Sequence, residues 1–191
     1  MSPTSINEPL LDRLLAANRL QGGLRPETDG DWSAYTRRVV FDPDPNGDLA
    51  RLRARPDTTV FAARLVEITD AARGIALPTD DLVHGDLTSG NVVVRDGMPF
   101  LVDAAHAGKG TRAYDLAVLL VDGQWSDPSG RARRRLTDEA LSLVGINGLR
   151  LCLAARMIVL LEWGGRHWPA DVPRAVSRCR SLLEMAPTAR G

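Results

Sequence analysis

The chain contains 191 residues, of which 44% are hydrophobic and 25% are charged, a composition typical of one globular domain with a sizeable core. Its 24 basic and 24 acidic residues balance, which excludes a global field that would attract nucleic acid or an acidic membrane surface. The two cysteines, Cys152 and Cys179, are too few for a disulfide scaffold and predict a reduced, cytoplasmic protein.

The N-terminal segment predicts a helix rather than a targeting sequence. It carries the acids Glu8 and Asp12 and no basic run, which argues against a signal peptide. Asn7 precedes a stretch with Pro9 in its first turn and four leucines on one face, which predicts a capped amphipathic helix ending near Gly22. No apolar run approaches the ~18 residues of a membrane span, so we expect no membrane segment.

Two further helices are predicted before the middle of the chain. Residues 31–40 show a weaker helical pattern, and the Pro, Asn and Gly content of residues 41–48 predicts a loop. Residues 57–75 place an apolar stripe at helical spacing, with Asp57 as the expected N-cap.

The hydrophobic pattern changes at residues 91–103, "NVVVRDGMPFLVD". A β-branched run, an Asp96-Gly97 turn and a second apolar run predict a short antiparallel hairpin. Helical periodicity returns after it, at residues 113–120, 131–144, 148–163 and 172–185. The predicted fold class is mostly α with a small β-hairpin (α+β), in a single domain of residues 1–191.

Three polar side chains surround this hairpin. Asp86 lies in the loop before it, Asn91 opens its first strand and Asp103 closes its second strand. Because a tight hairpin brings its two open ends together, we expect Asn91 and Asp103 to lie side by side. Two hard oxygen ligands suit Mg²⁺, and the remaining carboxylate is free to accept a proton from an attacking hydroxyl. Phosphoryl transfer needs this division of labour.

The segment "HGDLTSGN", residues 84–91, matches the kinase catalytic-loop pattern H-x-D-L-x-x-x-N, and "VDAA" stands where D-F-G would stand. With Gly in place of the usual Arg, the chain resembles the aminoglycoside phosphotransferase and choline-kinase-like family. The segment "GKGTRAYDLAVLL" strengthens the resemblance, because that family follows its metal aspartate with a Gly-containing loop and a Tyr-Asp-Leu-Ala helix start. The resemblance extends from about residue 31 to the C-terminus, and residues 82–120 carry its specific part.

The resemblance implies a role for each residue of this segment. Asp86 would be the catalytic base, with His84 as the packing and hydrogen-bonding support of the catalytic loop. Asn91 and Asp103 would hold Mg²⁺ and, through it, ATP. Asp115 would accept backbone N–H bonds from the catalytic loop at a helix start, where an acid is electrostatically favoured.

The C-terminal helices of the family build the pocket for the acceptor substrate. Glu162 is therefore a candidate substrate contact, although a surface charge beside two packing tryptophans is an equally good interpretation. The expected acceptor is a small molecule with a hydroxyl group, and the sequence does not identify it further.

Kinase-like folds clamp ATP between two lobes, and the smaller β-rich lobe supplies a lysine for the phosphates. Here 83 residues precede His84; they show helical and loop patterns and contain no lysine. We therefore expect a protein-kinase-like large lobe that lacks the β-rich N-terminal lobe, with leading helices at 1–80, the catalytic loop and metal-site hairpin at 81–105, and a helical substrate subdomain at 106–191. A truncated product, a separate chain that supplies the small lobe, and a degenerate relative all remain open, and the uncovered face predicts self-association.

Two other function classes compete with a small-molecule kinase. One is a non-catalytic binding or interaction module on a kinase-like scaffold, which Mg²⁺-dependent ATP binding would argue against. The other is a metal-dependent phosphoesterase, since "HGD" and "SGN" faintly resemble elements of calcineurin-like enzymes. Such sites need more histidines than His84, His106 and His167, and a D-x-H motif early in the chain, which is absent.

Overall fold

Helices form most of the fold in the computed structural model, which describes residues 5–126 and 129–185. Helices α1 to α7 span Glu8–Leu20, Trp32–Phe41, Asp48–Ala54, Thr59–Thr69, Ala113–Asp122, Arg131–His167 and Val172–Met185. Strands β1 to β6 span Ser5–Ile6, Asp81–Val83, Val92–Arg95, Met98–Leu101, Gly108–Gly110 and Gln124–Trp125. The prediction of a mostly helical chain with a small hairpin is confirmed.

Side-chain caps explain where the first two helices begin. The Asn7 side chain accepts the backbone N–H of Leu10 at 3.0 Å, as the sequence predicts, and Asp31 caps α2 in the same way. The predicted cap of α4 is wrong, because Thr58 holds the N-cap position. Asp57 instead forms a two-pronged ion pair with Arg55, which occupies both of its carboxylate oxygens.

Helix α6 is the centre of the fold and packs against α2, α3, α4, α5 and α7. It breaks at Gly145, whose backbone angles of φ 66° and ψ 179° are accessible in practice only to glycine. Contrary to the prediction of no membrane segment, α6 is, among the described residues, the one helix that could cross a membrane by length and composition. Half of its apolar 18-residue window is buried inside the fold, as expected of a helix at the centre of a globular core.

Three two-stranded sheets position the loops. The predicted hairpin is confirmed: β3 pairs antiparallel with β4, and Asp96 and Gly97 both adopt positive φ angles, 51° and 74°, as a type I′ turn requires. Strand β2 pairs antiparallel with β5, a contact that the sequence did not predict. This pairing places the start of the catalytic loop beside the segment that leads into α5.

Candidate active site

Asp115, in the first turn of α5, anchors the catalytic loop at residues 84–91. Its buried carboxylate accepts the backbone N–H groups of His84 at 2.8 Å and Gly85 at 2.9 Å, and the Gln21 side-chain amide at 3.0 Å. Burial raises the pKa of Asp115, while the three N–H donors oppose that shift because they stabilise the charged form. The loop thus has a fixed start, and Gln21 is a contributor that sequence reasoning missed.

His84 connects this loop to the end of the hairpin. Its ring is almost fully buried, with Nε2 lying 3.0 Å from the carbonyl oxygen of Val102 and Nδ1 lying 3.4 Å from the backbone nitrogen of Asp86. A carbonyl accepts and an N–H donates, so these partners assign the proton to Nε2. His84 therefore holds the loop and has no ring nitrogen left for a substrate.

Asp86 and Asn91 face each other across the catalytic loop. The Asn91 amide nitrogen donates to the backbone oxygen of Asp86 at 2.8 Å and to its Oδ2 at 3.0 Å. Because the nitrogen end is engaged, the Asn91 amide oxygen is the end left for a cation, and it accepts no hydrogen bond from the described part of the chain. A hard cation prefers an oxygen of this kind.

Asp103 follows β4 directly and adopts a left-handed backbone conformation, with φ 59° and ψ 52°, which aspartate tolerates better than most residues. The backbone N–H of Val102 donates to the Asn91 carbonyl at 3.0 Å, so the two ends of the hairpin lie beside each other. The Asp103 side chain is exposed. Among the residues that the structure describes, no group of three or more His, Cys, Asp or Glu could hold a metal ion. A cation at Asn91 and Asp103 would therefore need further oxygen ligands, as Mg²⁺ bound to phosphates does.

Arg156, on α6, contacts the carboxylate oxygen of Asp86 that Asn91 does not contact. Its Nη1 lies 3.2 Å from Asp86 Oδ1, and its Nε donates to Asp122 Oδ2 at 2.6 Å. Burial by itself lowers the pKa of Arg156, but the carboxylates of Asp122 and Asp86 raise it overall, so the guanidinium stays charged. Sequence reasoning missed Arg156 because it is one arginine among many on a helical stretch far along the chain.

Trp32 explains the glycine that follows His84. Gly85 has a φ of 84°, and a Cβ atom there would lie 2.1 Å from the Trp32 ring. Trp32 stacks on Tyr114 with ring centroids 4.9 Å apart and donates its indole N–H to the His106 carbonyl at 2.9 Å. The sequence shows the glycine, but only the fold shows the ring that excludes a side chain there.

A cavity of about 900 Å³ lies beside this tryptophan. It adjoins the catalytic loop, since Trp32 contacts Gly85 and since part of the lining follows Asp103 in the chain. Its lining residues are Thr28, Asp29, Gly30, Asp31, Trp32, Ala34, Tyr35, Arg38, Ala105, His106 and Ala107. The cavity combines aromatic faces with acidic and basic groups and is large enough for a small molecule.

Glu162 is buried, which contradicts its interpretation as a surface charge. Its Oε1 accepts from Arg51 Nε at 2.7 Å, and its Oε2 accepts from Arg166. The neighbouring Trp163 and Trp168 are exposed, and their rings contact each other with centroids 4.2 Å apart. Both oxygens of Glu162 are thus engaged by arginines, and its contact with an acceptor stays a prediction.

A family model and a curated protein match parts of this chain. The family model described as "Phosphotransferase enzyme family" matches residues 12–152. The EKC/KEOPS complex subunit BUD32 of Yarrowia lipolytica is 38% identical over 74 residues, which are 39% of this chain and 25% of that protein. The chain thus spans a quarter of this curated relative.

Two solved structures share the fold. The apo form of a thermostable mutant of aminoglycoside phosphotransferase APH(4)-Ia gives a TM-score of 0.69 at 15% identity, covering 92% of this chain and 64% of that one. A variant of that enzyme in a ternary complex with ADP and hygromycin B gives a TM-score of 0.68 at 15% identity, covering 94% and 66%. This chain therefore spans about two thirds of the length of those structures.

Proposed function

Because the chain belongs to the phosphotransferase enzyme family, we propose that it transfers the γ-phosphoryl group of ATP to a hydroxyl of a small acceptor. One observation carries the proposal. Asp86 is held by Asn91 and Arg156 on a loop that Asp115 anchors, and the end of that loop at Asn91 lies beside the strand end that leads to the exposed Asp103. The ternary complex of the related fold with ADP and hygromycin B supports a nucleotide and a small acceptor as the two substrates.

Asp86 acts on the acceptor in this proposal. Its partly exposed carboxylate orients the attacking hydroxyl and accepts its proton as the acceptor oxygen bonds to the γ-phosphorus and the bond to ADP breaks. Its two oxygens already have partners in Arg156 and Asn91, so the group works chiefly by orientation.

Asn91 and Asp103 are the residues that would hold Mg²⁺. The amide oxygen of Asn91, which accepts no hydrogen bond from residues 5–126 and 129–185, and the exposed carboxylate of Asp103 fit a hard cation shared with phosphate oxygens. When bound, the ion would neutralise charge on the transferred phosphate.

The cavity beside Trp32 is our candidate for the acceptor site. Trp32 separates it from the loop that carries Asp86, and Asp29 and Arg38 line it with opposite charges. The helical fold fits the large lobe of a kinase-like enzyme, and no β-rich lobe is present among residues 5–126 and 129–185. We propose that full activity requires such a lobe, from a separate chain or from another part of the same protein, and that the protein works in the cytoplasm.

The test is calorimetric titration of the purified 191-residue chain with a non-hydrolysable ATP analogue, with and without Mg²⁺. We expect binding that depends on Mg²⁺ and that is lost in Asp103→Asn. The control is Asp96→Asn in the exposed hairpin turn, a position that also has a positive φ and contacts no site residue.

Each alternative function predicts a different result, in this titration or in a separate assay. A folded chain that binds no nucleotide, even when a small lobe from a relative is added, would favour a non-catalytic interaction module. Hydrolysis of p-nitrophenyl phosphate without ATP would favour a phosphoesterase, although His84 is engaged at both ring nitrogens by loop and hairpin.

A further inference from the structure

Arg156 joins the candidate base to a second, more deeply buried acid. We propose that Arg156, anchored by Asp122, is a positioning residue that fixes the side-chain rotamer of Asp86. The inference rests on the proposed function for its consequence in catalysis, but the rotamer itself can be measured without a substrate.

The geometry lets Arg156 serve both acids at once. Its Nε contacts Asp122 and its Nη1 contacts Asp86, and these are different nitrogens of one rigid planar group. The side chains of Arg156 and Asp122 are 13% and 12% exposed, whereas that of Asp86 is 37% exposed. The buried pair is therefore the fixed end of the arrangement, and Asp86 is the end that faces solvent.

The two oxygens of Asp86 are held by different elements of the fold. Asn91, at the start of the hairpin, donates to Oδ2, while Arg156, on α6, approaches Oδ1. With one hydrogen bond alone, the carboxylate could still rotate about its side-chain bonds. The second contact removes that freedom, which is the condition for aligning a base with a hydroxyl.

The position of Asp122 supports the anchoring role. Asp122 is the last residue of α5, where the negative end of the helix dipole disfavours a carboxylate. An unpaired acid at that place would lower stability, so its 2.6 Å contact with Arg156 compensates the dipole. A lysine could not replace Arg156 fully, because one ammonium group lacks the fork that reaches both acids.

The test uses three-bond couplings from the side-chain carbon of Asp86 to its backbone nitrogen and carbonyl, which report the χ1 rotamer directly in NMR spectra. Arg156→Met alone would leave Asp122 buried without a partner and could unfold the chain. The comparison is therefore between Asp122→Asn, whose amide oxygen can still accept the Nε–H of Arg156, and the double variant Asp122→Asn with Arg156→Met; neither leaves an unpaired buried charge.

We expect Asp86 to show one rotamer in the wild type and in Asp122→Asn, and rotamer-averaged couplings in the double variant. Asp96, whose side chain is 94% exposed, supplies the averaged reference in every sample. Arg156→Lys, made together with Asp122→Asn, should give Asp86 couplings between those of the double variant with Arg156→Met and those of the wild type. A single Asp86 rotamer in the folded double variant would overturn the inference.

A second measurement separates this inference from the proposed function. In the double variant we expect unchanged affinity for the ATP analogue but residual turnover of Mg²⁺-ATP, with water as the acceptor, lower by about 10²-fold than in Asp122→Asn, the usual effect of a misplaced catalytic group. If the analogue does not bind any variant, the proposed function fails and the couplings still decide the role of Arg156. If it binds and neither couplings nor turnover change, the role of Arg156 fails and the proposed function stands.

Discussion

At Gly85 the backbone and its surroundings exclude a side chain for two separate reasons. Its φ of 84° lies in the left-handed region, and the Trp32 ring occupies the place where a Cβ atom would stand. The glycine therefore keeps the loop in shape between the anchor at Asp115 and the base at Asp86.

We expect Gly85→Ala to lower the free energy of unfolding by about 2–4 kcal/mol, the sum of a strained backbone and an overpacked contact. Chemical denaturation measures the loss. The matched control is Gly74→Ala, because a Cβ there has no neighbour within 4 Å and the φ of Gly74 is not positive. Trp32→Ala should recover part of the loss in Gly85→Ala, and equal stability of the two glycine variants would contradict the packing argument.

The stability of the catalytic loop also depends on the hydrogen bonds that Asp115 accepts. Removing its carboxylate leaves the N–H groups of His84 and Gly85 and the amide of Gln21 buried without an acceptor. We expect Asp115→Ala to cost at least about 3 kcal/mol, since each unsatisfied buried donor costs about 1–3 kcal/mol. A thermal scan should show a clear drop in Tm and loss of Mg²⁺-dependent nucleotide binding. The exposed Asp70→Asn is the control, and an unchanged Tm in Asp115→Ala would remove the anchoring role.

The elements that the sequence predicts well are those set by local pattern. The hairpin followed from β-branched runs around Asp96-Gly97, and α1 followed from its cap and leucine stripe. The pairing of β2 with β5 escaped prediction, because three-residue strands with two glycines in β5 carry no alternation signal. Its partners are 25 or more positions apart, and only the packing of helices around α6 brings them together.

The residues of the candidate site also fall into two groups: those that a local pattern predicts and those that only tertiary packing brings together. Asp86, Asn91 and Asp103 belong to one continuous stretch, so motif and hairpin together predicted their neighbourhood. Trp32 and Arg156 come from α2 and α6, and their contacts with the loop depend on tertiary packing that no local pattern encodes. The burial of Glu162 between two arginines was missed for the same reason, since Arg51 lies more than a hundred positions earlier.

An ion pair between α1 and α6 makes the stability of the fold depend on pH. Arg19 at the end of α1 donates to both oxygens of Glu139 on α6, at 3.0 and 2.6 Å. This pairing lowers the pKa of Glu139 below its ordinary value of 4.5. Because the folded state holds the charged form, the pair contributes stability above pH 4.5, and that contribution disappears as the pH falls through the lowered pKa.

We therefore expect Glu139→Gln to be slightly less stable than the wild type at neutral pH and equally stable in acid. The difference in unfolding free energy should stay constant down to about pH 4.5 and shrink below it. Urea denaturation at a series of pH values measures it. Asp12→Asn, which breaks the more exposed ion pair between α1 and Arg135, is the control. A difference that persists in acid would show that packing, not charge, links the two helices at Glu139.

The outer surface of the hairpin is an apolar face next to the candidate metal site. Met98, Phe100 and Val102 alternate along β4 and its extension, and they are 55%, 53% and 40% exposed. Val102 immediately precedes Asp103, and its carbonyl oxygen accepts a hydrogen bond from His84 Nε2. An exposed apolar face of this kind favours association with another surface.

We expect the purified chain to self-associate through this face as its concentration rises, which sedimentation velocity measures. The double variant Met98→Ser with Phe100→Ser should shift the molecules toward monomer with little change in Tm, because both side chains are largely exposed. Val60→Ser on α4 is the matched control, since Val60 is 74% exposed but lies on another element. Because the face adjoins Asp103, the Mg²⁺-bound ATP analogue should compete with association in the wild type. A wild-type chain that stays monomeric at every concentration would contradict this role for the hairpin surface.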